Sequence, residues 1–274
     1  RKNYKNIILD LIILDMLENQ IKLLDGKYYD KTELLSKMLD DEFYYGFMHK
    51  FAFSSSNIKL LLESPKTYYN VMKYGSPKSQ ALRDGWLFHA AVLEPEVFES
   101  QIFVDVQSKN TNKYKLAKEQ HGEVFTIKEK NDAERLAEAF YRNEPAMQII
   151  KGCKNEYPGV ALVQGQPFRA KADVICDDYV CDLKTTSNIK GFEHSAYNFH
   201  YDVQAYLYTE IFNVPNFRFV VIDKGSRDIG ISKPVSKEFI QSGRDKVAYA
   251  LNVYANHFEQ DEVELDDYYI EINL

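Results

Sequence analysis

The chain predicts an α/β fold, a mixed β-sheet flanked by helices. Two observations carry this. Phe168–Thr186, FRAKADVICDDYVCDLKTT, alternates apolar and polar residues around a short polar break, as a β-hairpin does. The order around it, helix, β-meander, helix, strand, helix, suits a sheet covered by helices.

Residues 4–24 are rich in apolar residues, with Asp10, Asp15, Glu18 and Lys22 near one side. They predict a helix with a broad buried face, stopped at Gly26. Lys31–Leu39 predicts a second helix. Residues 1–49 therefore read as a helical N-terminal extension packed on the main body or on a neighbouring subunit. The serines of Phe53-Ser54-Ser55-Ser56 suit the N-cap of a helix over Ile58–Glu63. Ser64-Pro65 restarts the pattern in a helix carrying Tyr68 and Tyr69. Leu82–Leu93 predicts a strongly apolar helix ended by Glu94-Pro95. Ile102–Val106 reads as a short strand, Gln107–Asn112 as a polar loop, and Asp132–Tyr141 as a helix. Three strands follow, Gly159–Gln164, Phe168–Ile175 and Tyr179–Lys184, the first two joined by a turn at Gln164–Pro167. Tyr201–Phe212 is a helix, Phe217–Ile222 a buried strand, Ile229–Pro234 a short strand and Lys237–Phe258 a long helix. Residues 50–258 form the main domain, and 259–274 an acidic tail.

At 274 residues the chain can bury one large core or two modest ones. Hydrophobic and charged fractions of 45% and 27% are those of a globular protein, and 20 Tyr with 17 Phe could also supply stacking surfaces. The net charge of −7 argues against a nucleic-acid partner until it is located. The tail holds seven acids and no Lys or Arg, so the body is neutral and local basic loops can still grip phosphates. Cys153, Cys176 and Cys181 include no CxxC pair, which disfavours zinc, iron–sulfur and a disulfide framework and makes a cytoplasmic location the expectation. The apolar run Ile7–Leu17 is too short to span a membrane.

Four local patterns bear on chemistry. Asp182 and Lys184 are two apart on a strand and share a face, and Asp173 on the partner strand can join them. Ala172 and Val174 are expected to face together, away from Asp173. Two carboxylates and an ammonium suit a hard cation and a phosphodiester; a salt-bridged strand face has the same residues. Gly85 and His89 lie four apart on a helix, so an imidazole could reach that cation; a core histidine reads identically. Gln204 and Tyr208 share a helix face, as in any amphipathic helix. Ser54 and Ser56 begin a helix, where hydroxyls cap or hold a phosphate.

In this order, GxxxH, acid, D-x-K and QxxxY, the patterns resemble the RecB-like branch of the PD-(D/E)XK nuclease superfamily. Phe53–Tyr69, Leu82–Pro95 and Asp182–Tyr208 are similar to phage RecE-type, exonuclease VIII-like exonucleases, and the likeness covers roughly Phe53 to Ile240. It implies a restriction-endonuclease-like core. It also implies that His89, Asp173, Asp182 and the Leu183 carbonyl hold Mg²⁺, with Mn²⁺ as a substitute. Lys184 would position the attacking water, and Gln204 and Tyr208 would order the site and contact the scissile strand. Ser54 and Ser56 would lie near DNA. Glu156 is a further acid upstream of the meander, either a second-metal or outer-shell group or a surface residue. No iron–sulfur cluster is expected. The implied activity is 5′-to-3′ degradation of linear duplex DNA from its ends in phage-type recombination, with a single-strand annealing partner and a ring-shaped homo-oligomer. An endonuclease or single-strand-specific enzyme of this fold, or an inactive DNA-binding module, are the alternatives. Loop Ser108–Lys118, with Lys109, Lys113 and Lys115, is the candidate phosphate contact; a solvated lysine loop is the other reading.

Overall fold

The computed structural model describes residues 19–75, 79–259, 263, 265 and 268–271. The predicted helix over 4–24 falls mostly outside them. Its described end is instead a strand, β1 (Gln20–Lys22), paired antiparallel with β2 (Tyr28–Asp30) around Gly26, whose φ of +79° permits the turn. Asp30 caps α1 (Lys31–Lys37) by accepting from the Glu33 N–H, and a π-turn at Phe43–Phe47 leads into α2 (Met48–Phe51). Ile21, Leu34, Met38, Tyr44 and Met48 cluster on Val160 of the main sheet, so this segment packs on the body. The acidic tail lies largely outside the described residues.

Phe53 fixes the start of the next helix. Its N–H donates to the Pro167 carbonyl (2.9 Å), and its carbonyl accepts from the Arg169 N–H (2.8 Å). Then come α3 (Ser55–Glu63), α4 (Pro65–Tyr74), α5 (Gln80–Leu93) and α6 (Pro95–Glu99). β3 (Phe103–Val104) pairs parallel with β4 (Phe125–Thr126). Between them the expected lysine loop is largely a helix, α7 (Asn112–His121), because Thr111 caps its start and Gly122, at φ +80°, ends it. α8 (Ile127–Arg142) begins five residues before the predicted helix, since Thr126 and Glu129 form a reciprocal capping box; α9 (Glu144–Ile150) follows.

The main sheet holds β5 (Lys154–Val163), β6 (Gln166–Ile175), β7 (Tyr179–Thr186), β8 (Asn216–Asp223) and β9 (Ile229–Ile231) in that spatial order. Only β7 and β8 are parallel, so the sheet is mixed. Gln164 and Gly165 both have positive φ, the signature of a two-residue hairpin turn. α10 (Phe192–Asn198) and α11 (Tyr201–Phe212) connect β7 to β8, and α12 (Lys237–Phe258) closes the fold. Helices cover both faces. Phe168, Ala172, Val180, Val203, Leu207, Phe217 and Val247 form one core beneath α3, α11 and α12. Leu87, Phe88, Phe140, Val174, Cys181, Leu183 and Val220 form the other beneath α5 and α8. α12 meets α11 closely at Gly243, where a Cβ would stand 2.1 Å from the Asp202 carbonyl oxygen.

Two expectations need correction. Ala172 and Val174 belong to different cores, because β6 changes face at Asp173. Ladder pairing with β7 is confined to Val174–Cys181 and Ile175–Val180. Opposite Asp173 on β5, Glu156 takes φ +47°, and the β5–β6 ladder skips that pair. Cys153 and Cys176, expected to be unpaired, form a disulfide with Cα atoms 4.7 Å apart, where the ends of β5 and β6 bring them together. Among the described residues no helix is long and apolar enough to cross a membrane.

Candidate active site

The break in β6 makes the site. Asp173 does not continue the ladder; its Oδ2 accepts the Leu183 N–H at 2.7 Å. A side chain therefore replaces a backbone carbonyl, and the carboxylate is held at the point where β6 and β7 diverge. From α5, His89 Nε2 lies 2.7 Å from the Leu183 carbonyl oxygen and Nδ1 lies 3.5 Å from Asp173 Oδ2. His89 sits four residues after Gly85, whose missing side chain lies by Thr185 Oγ1.

Glu156 completes a cluster. Single ligand atoms of His89, Glu156 and Asp173 all lie within 4.8 Å of one another. The left-handed backbone at Glu156 turns its side chain toward Asp173, and Lys171 Nζ holds it at 3.4 Å while bonding Asp41 at 2.8 Å. Asp182 lies to one side, 1% exposed. Its Oδ1 accepts from Gln204 Nε2 at 2.5 Å, and Oδ2 contacts the Lys184 ammonium. The sequence pairing of Asp182 and Lys184 on one face is thus realised as an ion pair.

The charges divide the carboxylates. Burial works against ionising Asp173, but His89, Lys184 and the Leu183 N–H outweigh it and lower its pKa. Burial raises the pKa of Asp182, Lys184 opposes this, and repulsion from Asp173 adds to the rise. Glu156 is raised to about 7 by burial and then by Asp173. His89 would be lowered by burial, yet Asp173 lifts it to about 9, so without a cation its imidazolium ties the acids together. Two carboxylates, an imidazole and a backbone carbonyl form a hard, mixed O/N donor set, which fits a divalent cation.

The other predicted residues separate. Tyr208 is buried, and its hydroxyl donates to the Lys171 carbonyl at 3.1 Å, so it braces β6. Ser54 is engaged in capping α3, donating to Asn57 Oδ1 at 2.7 Å, while Ser56 is exposed on the first turn. Lys109 is not a free loop lysine: its ammonium bonds Glu129 and Gln80, each at 2.7 Å. Lys113 is exposed and donates to the Asp105 carbonyl at 3.2 Å; Lys115 is exposed. Sequence reasoning missed Lys171, which positions Glu156, and Lys59 and Tyr201 beside Lys184. The signal for Lys171 was its place two residues before Asp173 on one strand face.

Comparison with known proteins identifies the family and the fold. The profile of a family described as "PDDEXK-like domain of unknown function (DUF3799)" matches residues 54–264. A solved structure from Eubacterium rectale, described as a "Putative exonuclease", is similar over 86% of this chain and 95% of that one, at 18% identity and a TM-score of 0.62. A second, SSO0001, covers 45% of this chain and 69% of its own at 17% identity and a TM-score of 0.27. No curated protein matches the chain. The mixed α/β sheet flanked by helices is a restriction-endonuclease-like fold.

Proposed function

The chain belongs to the PDDEXK-like domain family, and from that premise we propose that it is a metal-dependent DNA exonuclease acting 5′-to-3′ on linear duplex ends, RecE-like, in phage-type recombination. One observation carries the reading: His89, Glu156 and Asp173 converge within 4.8 Å beside the Asp182–Lys184 pair. The similarity of the fold to the Eubacterium rectale protein agrees with it.

His89, Asp173, Glu156 and the Leu183 carbonyl are the groups that would hold Mg²⁺ or Mn²⁺, with Asp182 adjacent. A bound divalent cation would supply Lewis acidity, lowering the pKa of water and neutralising charge on the phosphate. The protein's own residues do the rest. Lys184, fixed by Asp182, presents an ammonium to the phosphate and to water. Gln204 keeps the Asp182 carboxylate in one orientation. His89 would hold the cation as a neutral imidazole, so metal binding would be opposed by protons. Residues 50–258 form the nuclease domain, and duplex ends are the substrate. An annealing protein and a ring of subunits are the partners in this reading.

The test is digestion of end-labelled linear duplex with Mg²⁺, comparing 5′-phosphate with 5′-hydroxyl ends and a covalently closed circle. Release of mononucleotides from linear DNA is expected, with Lys184→Ala and Asp182→Asn inactive but folded by circular dichroism. Cutting of closed circles would show an endonuclease instead. No cleavage and no Mg²⁺ or Mn²⁺ binding would leave a binding module.

A further inference from the structure

The nuclease reading assigns Lys184, but a second lysine stands beside it. Lys59 projects from α3, half-buried, and its Nζ lies 5.0 Å from the centre of the Tyr201 ring. Lys184 Nζ lies 5.0 Å from the centre of that same ring. The two ammonium groups, from a helix and from a strand, are thus fixed by one aromatic side chain.

Their partners differ. Lys184 has Asp182, Lys171 has Asp41 and Glu156, and Lys246 has Asp202. Lys59 has no ion pair or hydrogen bond among the described residues. Asp202, the next acid along, is fully buried and already engaged by Lys246 and Ser242, each at 2.6 Å, and by the Val203 N–H. A half-buried cation without an acid is unfavourable unless something else completes it. Burial, and then Lys184, lower the Lys59 pKa to about 8, against opposing attraction from Asp182 and Asp202. Ser56, exposed and three residues earlier on α3, lies on the same helix face. A cation with a hydroxyl one turn away, sharing an aromatic ring with Lys184, is suited to a phosphate.

We propose, resting on the nuclease reading, that Lys59 contacts substrate directly, holding the backbone phosphate next to the scissile one on the cleaved strand. Lys184 and Lys59 would then read two successive phosphates, with Tyr201 setting their separation.

The test uses the full chain as wild type, Lys59→Met, which keeps the packed stem, and Lys59→Arg. Binding of a short duplex is measured in EDTA across a salt series, with single methylphosphonates placed at and around the cleavage position. Cleavage with Mg²⁺ is followed in parallel. For Lys59→Met we expect binding roughly tenfold weaker and a salt slope shallower by about 0.9, the value of one phosphate contact. We expect KM to rise more than kcat falls, with Lys59→Arg restoring most of both. Neutralising the adjacent phosphate should weaken wild-type binding and leave Lys59→Met unaffected. Unchanged affinity and slope in Lys59→Met would overturn the proposal, as would lost thermal stability alone. So would insensitivity appearing at the scissile phosphate instead of its neighbour. Wild-type protein that neither binds nor cuts DNA would overturn the nuclease reading itself; normal cleavage with an unaltered Lys59→Met would overturn only the role of Lys59.

Discussion

Replacing Glu156 with Gln should make the metal-free protein more stable at neutral and alkaline pH. The carboxyl is pushed to about 7, against 4.5 in the unfolded chain, by burial and by Asp173. Below pH 4.5 it is protonated in both states and contributes no difference. As pH rises from 4.5, the unfolded chain ionises first. Native stability therefore falls until about pH 7 and then levels. The gap corresponds to about 3 kcal/mol; the side chain is 19% exposed, so solvent removes only part of this. Gln keeps the shape and abolishes the charge, and Lys171 retains Asp41 as a partner. For a chain of 274 residues, about 3 kcal/mol corresponds to a Tm rise of about 5 °C. The assay is thermal unfolding in EDTA at pH 4.5, 6, 7 and 8.5 for both proteins. The curves should meet at pH 4.5 and separate by pH 8.5. Added Mn²⁺ should stabilise wild type more than the variant, because a cation rewards the ionised acid. Parallel pH curves would refute the reasoning, since Glu156 would then ionise as freely in the fold as in water.

Other perturbations probe the frame and its charges. Gly243→Ala should destabilise by about 2 kcal/mol or more, because a Cβ would overlap the Asp202 carbonyl and force α12 off α11; denaturant unfolding measures it. Reducing Cys153–Cys176 should lower stability by about 3 kcal/mol, from freeing the loop across a sequence separation of 23, as melts with and without a reductant will report. Lys109→Gln should lower stability without changing the salt dependence of DNA binding, since Lys109 is bonded to Glu129. Lys113→Gln with Lys115→Gln should make that dependence shallower at unchanged stability.

What could be read from the chain depended on how local its cause was. Tyr201–Phe212 and Lys237–Phe258 have their predicted limits because apolar periodicity and end residues are written within each segment. The meander was legible from alternation and the Gln164-Gly165 turn. Helix α8 starts early because its cap, Thr126 with Glu129, precedes a charged stretch that hides the apolar stripe. Asp182 and Lys184 were found together because a two-residue spacing suffices to place them. The face change at Asp173 and the backward turn of Glu156 arise from strands meeting at a divergence, which no short window contains. Lys109 looked like a surface residue because its partner Glu129 stands 20 positions away. Lys59 reads as an ordinary helix lysine until Tyr201 is brought against it.

Leu183 serves two masters through different atoms. Its side chain is fully buried in the core beneath α5 and α8, while its N–H and C=O are held by Asp173 and His89. Side-chain replacement there would report on packing, and the site would register it only as a shift of the main chain. An amide-to-ester exchange at the same residue would do the reverse, deleting the donor to Asp173 while leaving the core filled. A mutational survey at the position between the two charged residues would therefore record lost packing, and its main-chain contribution to the site would stay hidden behind lost stability.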